Sequence, residues 1–318
     1  MKIPITQSKA WQNLQTDLKE ESFLESKPDF HYLAIKKTTP AGNYLYLPYG
    51  PVVETKTGLK NALESLDSLA KKKSAISIRI EPMSPEIVEF LPQNAKKVKD
   101  LNPKETWVLD LTGSDEDLKS KLPSRLLRYY KNMSKNGLTI EKTTDPEKIK
   151  HLLALQKSLA KEKGINTFSE TYLKTELSQP FATLYLLKRS PETLSGAQET
   201  PQKDSPEILA AGLVFDDETT RYNLQGAQSE TGRKLHATGI LTIQLILDAK
   251  EKGLKTFDFW GIAPDGAPEN HPWAGFTNFK KTFAGHEVRY AGTYDIIKNP
   301  LKYHLYNLLR KLNRFLRG

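Results

Sequence analysis

Between residues 256 and 283 the chain brings together side chains that can do chemistry. Phe279-Lys280-Lys281 sets an aromatic ring beside two lysines, just past a turn rich in glycine and proline. A lysine ammonium in such a place can hold a phosphate as a point charge. The ring can stack on a base or brace the lysine stem, although ordinary packing of an amphipathic helix would use the same residues. Upstream, Phe257-Asp258-Phe259-Trp260-Gly261-Ile262-Ala263-Pro264-Asp265 reads as a strand entering the turn that reaches His271-Pro272-Trp273-Ala274-Gly275. Open α/β sheets bind ligands at the carboxyl ends of their strands. Asp258 or Asp265 can therefore accept a proton from an attacking amine or orient that amine. Asp258 also alternates within an aromatic strand, which suits a hydrogen-bonded structural role equally well. His271, ahead of a proline in a loop, reads as structural.

Two basic features lie outside this stretch. Lys121, Arg125, Arg128 and Lys135 stand at i, i+4, i+7 and i+14. Past a break at Pro123 they approximate one helical face, which can follow a phosphate backbone or simply be solvated. At the end of the chain Leu301, Leu305, Leu308, Leu309, Leu312 and Leu316 form an apolar stripe, with Tyr303 and Tyr306 nearby and Lys302, Arg310, Lys311, Arg314 and Arg317 supplying charge. The first turns of that helix are expected to pack on the body. The stripe over 301–317 can also make peripheral contact with anionic lipid headgroups, its last turns being the better candidates.

The elements that must position these groups follow from periodicity. Strands are expected at 31–37, 43–48, 75–80, 107–111, 181–188, 208–215, 221–227 and 256–260. Helices are expected at about 57–72, from 114 to an interruption at Pro123, at 146–163 (closed by Gly164), 170–178 and 238–252. Residues 190–206, rich in Pro, Ser, Thr, Gly and Gln, read as a mobile hairpin loop. The run strand, loop, helix, strand over 221–260 is the core unit of a mixed α/β sheet.

The chain has 318 residues, a length that suits two domains. Its 47 basic against 38 acidic residues give a formal charge of +9, which favours anionic partners such as RNA, phosphates or an anionic membrane surface. The absence of cysteine excludes disulfides, thiolate zinc sites and a cysteine nucleophile. No metal-ligand cluster, HExxH, Walker A or GxSxG pattern occurs, so no metal or cofactor is expected. Acyl-CoA transferases hold pyrophosphate with a Q/R-x-x-G-x-G/A turn. Arg233-Lys234-Leu235-His236-Ala237-Thr238-Gly239 departs from it, so the donor is not expected to be acyl-CoA. The start lacks a signal peptide and no apolar run is long enough to span a membrane, so the expected location is the cytoplasm.

Several of these stretches resemble the FemABX family of peptidoglycan cross-bridge aminoacyltransferases. Gln7-Ser8-Lys9-Ala10-Trp11 resembles the family's Q-S-x-x-W. Leu47-Pro48-Tyr49-Gly50-Pro51-Val52 resembles P-x-G-P-V, and Arg79-Ile80-Glu81-Pro82 resembles R-h-D/E-P, where h is apolar. The most specific segment is 258–283, followed by 290–294 and a basic tail.

The resemblance implies an α/β (α+β) fold of two GNAT-like acyltransferase domains with mixed sheets, packed together, plus a C-terminal basic helix. One domain would comprise 1–104 with 290–318, the other 105–289. It implies transfer of an amino acid from aminoacyl-tRNA, as co-substrate, to an amine on the stem peptide of a peptidoglycan precursor. Glu81, Tyr172 and Lys280 match positions that contact the precursor, with Phe279 as partner of Lys280. Gln15, Phe168 and Leu224 replace a lysine, an arginine and a tyrosine of the family. Those departures favour a lipid-linked precursor (lipid II) over UDP-MurNAc-pentapeptide. Two other readings are a non-catalytic RNA- or membrane-binding protein on an inactive acyltransferase fold, and a GNAT-type enzyme acting on another amine.

Overall fold

The chain builds most of one unit, then a complete second unit, then returns to finish the first. In the computed structural model, which describes residues 1–163, 167–190 and 206–315, the units are Met1–Glu105 with Arg289–Gly318, and Thr106–Val288. The mixed α/β architecture expected from the sequence is the one the chain forms, with one mixed sheet in each unit.

The first unit opens with α1 (Lys9–Asp17), β1 (Ser22–Ser26), β2 (Phe30–Thr39), β3 (Gly42–Leu47), β4 (Val52–Val53), α2 (Lys56–Lys72), β5 (Ala75–Ile80) and β6 (Ala95–Lys97). Ser8 caps α1 by accepting from the Trp11 amide, and Thr55 caps α2 by accepting from Gly58. The helical spacing of Leu59, Ala62, Leu66 and Ala70 turns one stripe of α2 onto the sheet, where all four are buried.

The second unit contains β7 (Glu105–Asp110), α3 (Asp115–Lys121), α4 (Ser124–Lys131), β8 (Leu138–Thr143), α5 (Ile149–Lys163), α6 (Glu170–Leu177), β9 (Ala182–Arg189), β10 (Glu207–Asp216), β11 (Thr220–Gln228), α7 (Glu230–Lys234), α8 (Ala237–Glu251), β12 (Thr256–Gly261), α9 (Ala274–Lys281) and β13 (His286–Arg289). Its sheet runs β13-β7-β12-β11-β10-β9-β8, with β11 and β12 parallel. Connecting parallel neighbours demands a crossover, and α8 supplies it. Ile240, Leu241, Ile243, Leu245, Ile246 and Ala249 of α8 share a core with Leu187, Val214, Phe257 and Phe259.

The chain then adds β14 (Tyr294–Ile297) to the first sheet, between β5 and β6, giving the order β1-β2-β3-β5-β14-β6, and ends in α10 (Pro300–Phe315). Arg79 of β5 and Asp295 of β14 meet in that insertion. Their two hydrogen bonds, Nε to Oδ1 and Nη2 to Oδ2, are both 2.7 Å, and both side chains are buried.

Three expectations need adjusting. Pro123 does more than interrupt a helix. Leu122 leaves α3 in extended conformation, so Lys121 ends α3, Arg125 and Arg128 lie on α4, and Lys135 sits in a separate 3-10 turn, Ser134–Asn136. The four do not form one continuous helical face. The C-terminal stripe divides into two faces: Tyr303 and Tyr306 are buried with Ala41 and Ile76, whereas Leu301, Leu305, Leu308 and Leu312 are exposed. Leu301, in the first turn, is 86% exposed, so the first turn is not packed all round. The side chains of Arg314, Leu316 and Arg317, Gly164, and the 190–206 loop beyond Ser190 and before Pro206 lie outside the described residues.

Candidate functional site

Strand β12 delivers the central groups. Phe257 and Phe259 point into the core of the second unit, where Phe259 meets Phe283 at 4.9 Å between ring centroids. The strand's alternation sends Asp258 to the opposite face, still buried. Asp258 Oδ1 accepts from the Trp260 amide at 2.7 Å, and Trp260 takes the left-handed conformation, φ 65°. A side-chain acceptor two residues back is a standard way to hold such a bend. Here it coincides with a shift in the pairing register between β12 and β7, after Asp258.

The bend turns the Gly261 carbonyl toward α9, where Lys280 Nζ donates to it at 2.5 Å. Thr277 fastens the other end of the turn: its hydroxyl accepts from the Ala263 amide at 2.8 Å and donates to the Trp273 carbonyl. Consecutive residues of α9 then face different ways. Phe279 is half-buried edge-on to Phe283, Lys280 reaches back over the end of β12, and Lys281 is exposed with its ammonium over the Trp107 ring. Burial strips water from the Lys280 ammonium and pushes its pKa down to about 8, while the Asp258 charge pulls it back up. The lysine is thus charged at neutral pH and poised to lose that charge just above it. An ammonium has three donors, and among the described residues the Gly261 carbonyl takes one of them, so the others can serve an anionic ligand.

Tyr172, on α6, is half-buried and stacks on the exposed Phe168 at 5.0 Å. Its hydroxyl donates to Glu176 one turn later. Glu176 also accepts from Gln225 Nε2 of β11 at 2.9 Å, and Gln225 Oε1 accepts from Gln156 of α5 at 3.0 Å. Glu176 is buried, and desolvation pushes its carboxyl up to about 8, so it carries a proton at neutral pH. Sequence reasoning missed this network. The available signal was the four-residue step from Tyr172 to Glu176 on a helix whose neighbours Leu173 and Leu177 face inward.

Glu81 lies in the other unit and is buried. Oε2 accepts from the Tyr46 hydroxyl at 3.0 Å, the Tyr49 amide at 3.4 Å and Asn102 Nδ2 at 2.8 Å. Oε1 accepts from the Asn102 amide at 3.3 Å and the Thr293 hydroxyl at 2.9 Å. With five donors its carboxylate organises the 46–50 turn. Gln7 holds the same turn, donating to the Pro48 carbonyl at 2.7 Å while its Oε1 accepts from the Leu33 amide at 2.7 Å. Gln7 comes so close to Gly50 that a Cβ there would stand 2.5 Å from Oε1, which explains the glycine.

The basic candidates are placed separately. Lys121 pairs with Asp117 at 2.7 Å, and Arg125 and Arg128 flank Tyr129, which stacks on His236 at 4.8 Å. Lys135 is exposed. Lys280, Phe279 and Asp258 form one constellation; Tyr172 belongs to a second, and Glu81 to a third in the first unit.

The FemAB family model matches residues 183–311, a span that includes Asp258, Phe279 and Lys280. Among solved structures, a FemX crystal structure shares 18% identity over 95% of this chain and 94% of that one, with a TM-score of 0.79. The C-terminal domain of a putative lysylphosphatidylglycerol synthetase from Agrobacterium fabrum shares 15% identity over 96% and 93%, TM-score 0.59. The structure of L-PGS from Bacillus licheniformis shares 14% over 91% and 92%, TM-score 0.57. No curated protein sequence matches the chain. The family match and the FemX-like fold bear out the resemblance read from the sequence.

Proposed function

We propose that this chain, which matches the FemAB family model over 183–311 and has a FemX-like fold, acts as a FemABX-type enzyme and transfers an amino acid from aminoacyl-tRNA to an amine on the stem peptide of a peptidoglycan precursor. The lipid-linked precursor is the preferred acceptor. The observation that carries the reading is the charged, half-buried Lys280 anchored on Gly261 at the end of β12, with donors to spare for a phosphate.

The ester joining the amino acid to ribose is already activated, so the enzyme needs mainly to position the acceptor amine. The amine nitrogen bonds to the ester carbonyl carbon as the bond to the ribose oxygen breaks. The ribose oxygen leaves with a proton, and the amine loses one. Lys280 neutralises an acceptor phosphate, and Phe279, braced on Phe283, fixes the helix that carries it. Asp258 holds the β12 bend and keeps Lys280 charged. Tyr172, anchored by Glu176, orients the acceptor. Glu81 contributes by shaping the 46–50 turn. Arg125 and Arg128, with Lys121 and Lys135, attract tRNA phosphates by charge. Such a protein works in the cytoplasm, where both substrates are made accessible; no helix among the described residues is long and apolar enough to cross a membrane.

The test is purified protein with a panel of charged tRNAs and three acceptors: lipid-linked precursor, nucleotide-linked precursor and phosphatidylglycerol. Labelled amino acid on the stem peptide of the lipid-linked form is the expected result. Label on phosphatidylglycerol alone, or on none of them, would overturn the reading.

A further inference from the structure

Helix α10 carries two apolar faces, and among the described residues only one of them is packed. Asn299 caps its start, accepting from the Lys302 amide at 3.0 Å. On the inner face Tyr303 donates to Asp295 at 2.8 Å, Tyr306 lies 5.8 Å from the Tyr44 ring, and Leu309 joins the same cluster. On the outer face Leu301, Leu305, Leu308 and Leu312 are 86, 45, 47 and 49% exposed. At 3.6 residues per turn these four fall within an arc of about 60°. Isolated exposed leucines are ordinary, but four aligned on one helix form a contiguous apolar patch.

The charges choose between the surfaces that could cover it. From 296 to the end of the chain there are six Lys or Arg and no Asp or Glu. Helical geometry puts Lys302 on one flank of the leucine arc and His304 and Lys311 on the other. Arg310 turns away, over the Tyr306 ring. A second copy docked through this face would bring like charges together. A bilayer with anionic headgroups would take the leucines among its acyl chains while the lysine stems reach outward to the phosphates.

We propose that the outer face of α10 docks in the plane of an anionic membrane surface, inserting Leu301, Leu305, Leu308 and Leu312 between Lys302 and Lys311. The docking is peripheral, and it stands independently of the transferase reading because it uses no residue of the candidate site.

The experiment is co-sedimentation of the full chain with vesicles of mixed phosphatidylglycerol and phosphatidylcholine, or of phosphatidylcholine alone, with sedimentation equilibrium run without lipid. The wild type is expected to bind the anionic vesicles at least about tenfold more tightly than the neutral ones. Replacing the four exposed leucines by serine should lower that binding by at least about tenfold while far-ultraviolet circular dichroism and the thermal midpoint stay unchanged. Lys302→Glu with Lys311→Glu should lower it as well, and serves as the second variant should the serine protein misfold. Failure to bind anionic vesicles, equal binding to both vesicles, or binding indifferent to both variants would overturn the proposal. So would a concentration-dependent dimer abolished by the serine substitutions, which would assign the face to a second copy.

Discussion

Glu176 makes a stability prediction that can be worked through from its surroundings. Its carboxyl, buried against Gln225 and Tyr172, has an ordinary value of 4.5 in the open chain and is pushed up to about 8 in the fold. A raised carboxyl costs nothing below pH 4.5, where both states hold the proton. Between 4.5 and 8 the unfolded chain has released the proton and the folded one keeps it, so stability falls by about 1.4 kcal/mol per pH unit. At pH 7, roughly 2.5 units above the open-chain value, the cost is about 3 kcal/mol. Above pH 8 both states are ionised and it levels off near 5 kcal/mol. Glu176→Gln removes the titration and keeps an acceptor for Tyr172 and Gln225. Urea unfolding followed by tryptophan fluorescence from pH 4.5 to 8.5 should show the variant matching wild type at the acid end and gaining on it steadily, by about 3 kcal/mol at pH 7. A difference that does not change with pH would refute the reasoning, because a lost contact alone does not titrate.

Other outcomes follow from the same geometry. Lys280→Ala should reduce transfer by roughly 10- to 100-fold, the range of a charged hydrogen bond, and Lys281→Ala by less than about threefold; equal, small losses would remove the site assignment. Because the Lys280 charge is present below about 8 and lost above it, kcat/KM should fall as pH rises through that value. Asp258→Asn keeps an acceptor for Trp260 but deletes the charge that supports the ammonium, so the alkaline fall should move to lower pH; a complete loss of activity at every pH would instead make Asp258 the base. In the first unit, Asp295→Ala strands the buried Arg79 guanidinium and should cost about 3–5 kcal/mol in thermal or urea unfolding, and a cost under about 1 kcal/mol would contradict the pairing.

Much of the scaffold could be read from side-chain periodicity. The helical spacing of Leu59, Leu66 and Ala70 matches the element formed, because one buried face sets the period, and Ala75–Ile80 forms the expected strand, although all six of its residues are buried and neither face is exposed. The bend after Asp258 was visible as a strand meeting glycine and proline, and Lys280 does reach that bend. The split of α10 into two faces was hidden, since tyrosine and leucine are both apolar and only the packing against Ala41 and Ile76 chooses between them. The basic stripe was overread because Leu122 leaves the helix, which breaks the angular relation of Lys121 to Arg125. Glu176 escaped notice because a helical glutamate is ordinarily solvated, and its burial depends on Gln225 arriving from β11. The tasks of Gln7 and Glu81 likewise needed coordinates: both recur in the sequence resemblance, yet each holds the 46–50 turn.

The central claim is that Lys280 grips the acceptor through its phosphate. It is tested most directly by crossing two deletions in one transfer assay. Lipid-linked precursor and the same glycopeptide stripped of its phosphates would each be offered to wild type and to Lys280→Ala, with aminoacyl-tRNA in excess. The account predicts that wild type favours the phosphorylated acceptor by roughly 10- to 100-fold in kcat/KM and that the variant treats the two nearly alike. An undiminished preference in the variant would place the phosphate elsewhere and contradict the account.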